Sequence, residues 1–336
     1  MSRTLFWRMA TGTPVAMLLL GSALAGLGVT QAAAQGAADY PNRTIRIVVG
    51  FAAGGGNDLF ARVIGNKLSE VLKQPVIVEN KAGAGGRISS DYVSKQPADG
   101  YTILVGAIGQ MSIASAIYPK LSYHPTKSFI PLTMIAQFPL ILAIPTDHPA
   151  KNVKELVAWA KANPDKSNYA TSSPAFGITT ELLKLKTGMP ATAIPYKSSN
   201  ESMLSVAGGQ TLMTIADGPP TVPLVKGGKV RALAVTGSER SPELPDVPSM
   251  SEVGYPEVDI TLWSGLFVPA GTPPDIAAKL EAELRKIILM PDVANKLKAM
   301  ATTPSGMSGK DFAKRIESDI KKFGDVVKAA KLTFQE

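Results

Sequence analysis

The first candidate for chemistry is a glycine-rich loop near the start of the chain. Residues 45–68, IRIVVGFAAGGGNDLFARVIGNKL, run from an apolar stretch into three glycines at 54–56, a polar pair and an amphipathic stretch. Such a loop presents backbone N–H groups at the start of a helix, where the helix dipole favours an anion. The sequence therefore predicts either a site for a small anion such as a carboxylate or a tight turn without a ligand.

Nucleotide phosphates fit this loop poorly. A dinucleotide fingerprint needs a third glycine where Leu59 stands, and a Walker loop needs Gly-Lys-Ser/Thr, which is absent. Glu79 stands about twenty residues further on, as a ribose-binding acid would. Asp58 at the end of the loop, however, would repel a phosphate. We therefore expect no nucleotide and no other cofactor.

Two more glycine-rich loops follow the next two predicted strands. NKAGAGGRIS covers residues 80–89, and VGAIGQMS, residues 105–112, contains Gly106 and Ala107. Ligands of open α/β sheets bind beyond the carboxyl ends of the strands. We therefore expect a ligand cleft at this edge of the sheet.

A cluster of hydroxyl groups lies in the second half of the chain. In NYATSSPAFGITTELLK, Thr171, Ser172 and Ser173 stand between a predicted strand and a predicted helix. Their hydroxyls could bind the far end of a polar ligand or could only cap the helix, and the sequence leaves both open. Asp217, in ADGPP, ends another predicted strand and is expected to face the same cleft.

Catalytic side chains are scarce. Ser172 lacks the G-x-S-x-G setting of a hydrolase nucleophile, and the chain has no cysteine. The two histidines, His124 and His148, stand in proline-flanked turns without a spaced metal-ligand partner. We therefore predict no catalytic residue and no metal site, and we do not expect an enzyme. A secreted α/β hydrolase that uses Ser172 is the weaker alternative.

The elements that must position these residues follow from the periodicity. Short runs rich in Ile and Val alternate with segments of helical spacing, which predicts an α/β fold with buried parallel strands. The helix after the first strand has apolar residues on one face, and Asn57 or Asp58 can cap its start. The predicted strands cover residues 45–51, 76–79, 102–106, 141–145, 167–171, 193–196, 212–216 and 230–236.

The chain is long enough for two domains, yet it has no low-complexity linker. Two extended apolar stretches, QFPLILAIPTDHP and DITLWSGLFVPAGTPP, flank its central block. If both cross between two lobes, residues 36–139 and 262–336 form the first lobe and residues 140–261 form the second. We predict this arrangement.

The N-terminus predicts export. Arg3 and Arg8 precede an apolar stretch too short to span a membrane, and the small residues that follow offer a cleavage site near Ala34. Residues 1–34 are therefore predicted to be a signal peptide, and the mature protein is expected in the periplasm. The formal net charge of +8 is spread along the chain, which argues against a nucleic-acid partner.

The ordered set of motifs resembles one family over nearly all of residues 40–330. The motifs include YPNRTIRIVVGFAAGGGNDLFAR, QPVIVENKAGAGG, PADGYTILVG, IPYKSSNESMLSVAGGQ, GKVRALAVTGSERSPELPDVPSMSEVGYP and LFVPAGTPPDIAAKL. They are similar to the Bug (TctC-type) receptors of tripartite tricarboxylate transporters. The resemblance implies a type II periplasmic-binding-protein fold, in which two α/β lobes joined by crossing strands close on a ligand.

The resemblance also implies a role. The ligand would be a small organic anion, such as a di- or tricarboxylate, an acidic amino acid or an aromatic acid. The partners would be the transporter's membrane permease subunits, and the protein would be a monomer. The first glycine loop would grip a carboxylate, opposite the Ser/Thr loop of the second lobe. The expected ligand-binding residues are Phe51, Ala53, Gly54, Gly55, Gly56, Asn57, Asp58, Gly106, Ala107, Thr171, Ser172, Ser173 and Asp217.

The chain departs from the family pattern in the second lobe. Pro174 stands where the family often has Gly, the His that often follows is absent, and Leu212 and Ala216 replace two frequent acids. These departures predict a reshaped distal half of the pocket. They do not distinguish delivery to a permease from presentation to the periplasmic domain of a sensor kinase, which remains the alternative output.

Overall fold

The computed structural model describes residues 39–118 and 120–329. The predicted signal peptide, residues 1–34, lies outside these ranges. The strands are β1 (Ile45–Val49), β2 (Val76–Asn80), β3 (Thr102–Ala107), β4 (Phe129–Pro139), β5 (Ile141–Pro145), β6 (Asn168–Thr171), β7 (Thr192–Pro195), β8 (Met213–Ala216), β9 (Val230–Val235), β10 (Thr261–Pro269) and β11 (Thr303–Ser308). The helices are α1 (Gly56–Leu72), α2 (Arg87–Ser94), α3 (Ala114–Ile117), α4 (Val153–Ala162), α5 (Pro174–Thr187), α6 (Ser199–Ala207), α7 (Gly218–Lys226), α8 (Pro274–Leu289), α9 (Pro291–Lys298) and α10 (Gly309–Ala329).

The strands form two sheets, each of which is the centre of one lobe. The first lobe is built on the sheet with the order β11-β4-β10-β3-β1-β2, and the second lobe on the sheet with the order β7-β6-β8-β5-β9. In the first sheet β1 pairs in parallel with β2 and β3, while β10 runs antiparallel to β3 and β4. The α/β class predicted from the alternation of strands and helices is confirmed.

The parallel pairing predicted for the strands is found for β1, β2, β3, β6 and β7 but is wrong for β5. β5 pairs antiparallel with both β8 and β9, and β4 pairs antiparallel with β10 and β11. β5 and β10 enter their sheets from the other lobe rather than through a helical crossover, so the parallel rule for crossover units does not apply to them. β4, β10 and β11 were also not among the predicted strands, although β10 lies in one of the two extended apolar stretches.

Thr236 joins the two crossings between the lobes. One crossing runs from β4 into β5 through Leu140, and the other runs into β10. The Leu140 N–H donates to Thr236 Oγ1 at 2.7 Å, and the Thr236 hydroxyl donates to the Ile260 carbonyl at 2.7 Å. Thr236 is fully buried, so these bonds hold both crossing segments in fixed register.

The core of the first lobe continues into the C-terminal helix α10. Trp263, on the crossing strand β10, is fully buried, and its ring lies edge-on to Phe312 at 4.8 Å. Its Nε1 donates to Asp319 of α10 at 2.8 Å. The indole is therefore fixed by both its apolar face and its polar edge. Within residues 39–118 and 120–329, no helix is both long and apolar enough to cross a membrane.

Candidate ligand-binding cleft

A small cavity lies between the two lobes. Its volume is about 20 Å³, just enough for one water molecule. Both lobes contribute to its walls, which are lined by Phe51, Gly55, Gly56, Asn57, Ala107, Ile108, Gly109, Phe138, Leu262 and Trp263 and, from the second lobe, Ser172, Ser173, Ala175, Phe176, Ser199 and Asp217. A small organic acid needs more space, so the lobes must separate to admit one.

Four helices begin at this cavity. α1 starts after its N-cap Gly55, α5 after Ser173, α6 after Ser198 and α7 after Asp217. The start of a helix carries partial positive charge on its free N–H groups, which are fewer in α5 and α7 because Pro174, Pro219 and Pro220 have no N–H. None of the lining residues is Lys, Arg or His. Attraction for an anion here must therefore come from backbone and hydroxyl dipoles rather than from ion pairs.

The first glycine loop packs directly against the second lobe. A Cβ added to Gly56 would lie 1.9 Å from Asp217 Oδ2, which a real side chain cannot do. The Ala52 N–H donates to the Lys197 carbonyl at 3.2 Å, a second contact between the lobes. The loop therefore serves closure as well as exposing its N–H groups, because a side chain at position 56 would hold the lobes apart.

Asp58 organises the glycine loop from behind. The prediction that Asp58 could cap α1 is wrong, because the N-cap is Gly55. The Asp58 carboxylate instead accepts from the Gly54 N–H at 2.9 Å. It also accepts from Arg62 Nε and Asn80 Nδ2, both at 2.9 Å. Burial raises the pKa of Asp58, but these hydrogen bonds outweigh burial and leave the pKa below its usual value.

Asn57 points one face of its amide at the cavity. Its Oδ1 accepts from the Ser264 hydroxyl of β10 at 2.6 Å. With the oxygen engaged, the group that Asn57 can offer a ligand is its NH₂.

The hydroxyl cluster divides into a cap and a candidate ligand group. Ser173 is the N-cap of α5 and accepts from the Phe176 N–H at 3.4 Å, while the Thr171 hydroxyl donates to the Ser173 carbonyl at 3.3 Å. Ser172 is buried, lines the cavity, and its Oγ has no hydrogen-bond partner. A buried hydroxyl without a partner is costly, which makes Ser172 a candidate contact for a ligand.

Asp217 is the second buried group with an unused atom. Its side chain is 2% exposed and its Oδ1 has no partner. Burial raises the pKa of Asp217 to about 6, although the Ser199 hydroxyl and the Gly56 N–H oppose this shift. Asp217 is the only ionisable side chain among the residues that line the cavity.

The structure brings most of the predicted site residues together. Those that line the cavity are Phe51, Gly55, Gly56, Asn57, Ala107, Ser172, Ser173 and Asp217. Those that do not line it are Ala53, Gly54, Asp58, Gly106 and Thr171. Gly106, for example, faces the core of the first lobe, where an added Cβ would lie 2.5 Å from the Phe267 ring.

Several lining residues were not predicted. They are Ile108, Gly109, Phe138, Ala175, Phe176, Ser199, Leu262 and Trp263. Phe138, Leu262 and Trp263 lie in the two crossing stretches, whose apolar character was visible but is equally typical of a core. Ser199 starts α6 in the segment KSSNES, where a serine-rich helix start was the available signal.

Neither histidine reaches the cavity. His148 Nδ1 accepts from the Ala150 N–H at 3.2 Å, and its ring lies edge-on to Trp159 at 4.7 Å. His124 Nδ1 accepts from the Thr126 N–H at 3.3 Å. Ser172 is thus not matched with an imidazole base among the lining residues. In the described part of the chain, no cluster of three or more His, Asp and Glu side chains could hold a metal ion.

A larger groove of about 490 Å³ lies beside the crossings and is open to solvent. Arg240 and Lys298 line it, but the Arg240 guanidinium is engaged by Glu252 at 3.0 Å. No side-chain atom that lines this groove is among the buried polar atoms left without a partner in the described residues. The small cavity between the lobes is therefore the better candidate site.

Two α/β lobes with a cavity between them, lined by both polar and apolar residues, are typical of a solute-binding receptor. The sequence model of the tripartite tricarboxylate transporter family receptor matches residues 60–332. The chain therefore belongs to this family of receptors, as the resemblance predicted. The protein BugT of Bordetella pertussis is 32% identical over 93% of this chain and 96% of its own length.

Solved structures of similar proteins share the fold. The periplasmic binding protein BugD superposes with a TM-score of 0.85 and 31% identity, covering 88% of this chain and all of BugD. An R. palustris protein solved with adipate gives 0.83 and 32%, covering 88% of this chain and 99% of that one. MatC of Rhodopseudomonas palustris, solved with bound malate, gives 0.82 and 31%, covering 86% and 100%. The two-lobed fold expected from the resemblance is confirmed.

Proposed function

We propose that this receptor works in the periplasm, after cleavage near Ala34, and captures a small organic anion between its lobes for delivery to the permease subunits of a tripartite tricarboxylate transporter. The ligand is a carboxylate, whether a di- or tricarboxylate or an aromatic acid. The observation that carries the proposal is the convergence of four helix starts on one cavity whose lining has no Lys, Arg or His. Free N–H groups arranged in this way favour an anion.

The two sides of the cavity have complementary tasks. One carboxylate accepts from the N–H groups of the glycine loop and from the NH₂ of Asn57 in the first lobe. The far end of the ligand meets the Ser172 hydroxyl in the second lobe, whose Oγ has no protein partner. The adipate and malate in the two R. palustris relatives are acids of suitable size for such a grip.

Closure would convert capture into a signal for the membrane partners. The ligand contacts both lobes, so binding favours an arrangement in which the lobes close around it, slightly further apart than when the cavity is empty. A permease that recognises surfaces of both lobes would distinguish the closed form from the open one. The protein needs no catalytic group for this role, and we propose that it is not an enzyme.

Identification of a co-purified small molecule tests this proposal. The full chain is exported to the periplasm of a bacterial host, purified without added acids, and denatured, and the released molecules are identified by mass spectrometry. We expect one organic acid at close to one molecule per chain. A nucleotide, a neutral sugar or a metal ion in that amount would contradict the proposal. Ser172→Ala protein, with Ser251→Ala as an exposed control, should carry less of the acid.

A further inference from the structure

The carboxylate of Asp217 is placed unusually for a residue at the start of a helix. Asp217 is the N-cap of α7, yet its side chain makes no capping hydrogen bond to that helix. An Asp in this position normally accepts from the N–H of the second or third residue of the helix, but these are Pro219 and Pro220, which have no N–H. Here the side chain instead lines the cavity, 2% exposed. The sequence has thus placed a buried acid where capping of α7 does not account for its orientation.

The two oxygens of this carboxylate have different surroundings. Oδ2 lies next to the backbone of Gly56, where an added Cβ would be 1.9 Å away. The Gly56 N–H and the Ser199 hydroxyl both favour the charged form of Asp217, so they supply donors on this side. Oδ1 is buried and has no partner in the protein. One acceptor atom of this cavity-lining residue therefore has no donor.

We propose that Asp217 is a specificity residue, whose Oδ1 accepts a hydrogen bond from an ammonium or hydroxyl group of the ligand. The receptor then prefers amino or hydroxy carboxylic acids to acids of the same carbon skeleton without such a group. This inference rests on the proposed function, because it takes a carboxylate as the ligand. An unsubstituted acid would leave Oδ1 buried and unpaired, and an acceptor in that state is costly.

Charge strengthens the preference for an ammonium group. Asp217 is the one ionisable residue in the lining, so no Lys or Arg there compensates its charge. A second ligand carboxylate placed beside Oδ1 would meet a like charge at low dielectric. An ammonium group would compensate Asp217 and form a charge-assisted hydrogen bond. A hydroxyl group supplies the hydrogen bond alone, so the expected order is amino, then hydroxy, then unsubstituted.

Matched probes separate these chemistries. Isothermal titration of the full exported chain uses three series of fixed skeleton: succinate, malate and aspartate; butyrate, 2-hydroxybutyrate and 2-aminobutyrate; phenylacetate, mandelate and phenylglycine. In each series that binds, we expect the amino or hydroxy acid to bind at least tenfold more tightly than the unsubstituted acid. In Asp217→Asn protein, which removes the charge and keeps the shape, the difference should fall to within about threefold.

The outcomes distinguish this inference from the proposed function. If acids bind but the unsubstituted member is as tight as the others, or if Asp217→Asn leaves the tenfold preference intact, the role of Asp217 is wrong and the receptor function stands. If no acid binds in any series, both fail. Ser251→Ala serves as the control that should leave every affinity unchanged, and thermal melting shows whether Asp217→Asn protein is folded.

Discussion

Gly56 at the start of α1 and Asp217 at the start of α7 touch across the two lobes, with the position of a Gly56 Cβ only 1.9 Å from Asp217 Oδ2. The starts of two helices from different lobes thus meet, and at Gly56 no side chain separates them. The sequence predicts a possible anion site at the glycine-rich loop. The contact between Gly56 and Asp217 links this loop to closure of the cleft. We therefore expect ligand binding and closure to depend on the same few atoms.

Gly56→Leu should prevent full closure. The added side chain cannot share space with Asp217, so the lobes remain apart and the affinity for a carboxylate falls by more than tenfold. Small-angle X-ray scattering with a saturating acid should show a smaller radius of gyration for the wild type and no change for the variant. Gly324→Ala, in α10 and with its nearest contact 4.0 Å away, should leave binding and compaction unchanged. A Gly56→Leu protein that compacts normally would contradict the contact.

Ser172→Ala should weaken ligand binding without loss of stability. The Oγ has no partner in the closed protein, so removal of the hydroxyl breaks no internal hydrogen bond. If the ligand supplies the missing hydrogen-bond partner, the binding free energy becomes less favourable by about 1–3 kcal/mol. Titration calorimetry and thermal melting measure the two quantities. An unchanged affinity would remove Ser172 from the site.

Asp58→Ala should destabilise the fold. The buried carboxylate accepts from Gly54, Arg62 and Asn80, and its loss leaves the loop without these ties. We expect a cost of about 2–3 kcal/mol at pH 7, measured by urea unfolding. Affinity should fall as well, because the glycine loop loses its support. An unchanged unfolding midpoint at pH 7 would show that the loop does not need Asp58.

The same substitution has a predictable pH dependence. The folded pKa of Asp58 is below its ordinary value, so its contribution is present above about pH 4 and is lost as the pH falls through the folded pKa. The stability difference between the wild type and Asp58→Ala should therefore shrink on acidification from pH 7 to about pH 3. A difference that grows in acid would contradict the direction of the shift.

His148 should make the second lobe sensitive to mild acid. Burial lowers the pKa of its ring, Arg231 lowers it further, and Asp147 opposes both. The folded protein favours the neutral ring, so stability is present above the ordinary pKa of about 6.5 and is lost as the pH falls below it. His148→Phe keeps a ring against Trp159 and does not titrate. Its melting temperature should fall less than that of the wild type between pH 7.5 and pH 5.5, and an equal fall would contradict this role.

Local patterns in the sequence predicted those features that depend on neighbours along the chain. The glycines that follow β1 correctly predicted a strand, a loop and the start of a helix. Asp217 was predicted to face the cleft because it follows the end of a strand. Pairing of β5 could not be predicted in the same way, because its antiparallel partners β8 and β9 come from distant segments. A buried strand has the same pattern of apolar residues whether it pairs parallel or antiparallel with its neighbours.

The apolar wall of the cavity was the harder part of the site to predict. Leu262 and Trp263 share one crossing strand with residues that face only the core. Period and hydrophobicity do not distinguish a wall of a cleft from a wall of a core, since both are buried. Asp58 is the opposite case, a polar residue that was predicted to bind the ligand but does not line the cavity. Its carboxylate accepts hydrogen bonds from Gly54, Arg62 and Asn80 instead.

Recognition of a carboxylate by helix starts can be tested by comparing organic acids with their neutral amides. Isothermal titration measures the affinity of the wild-type protein for organic acids and for their neutral amides, such as succinate against succinamide and phenylacetate against phenylacetamide. We predict that at least one acid binds with one-to-one stoichiometry and that its amide binds at least tenfold more weakly. Equal affinity for an acid and its amide, or no binding by any acid, would show that the helix starts do not recognise a carboxylate.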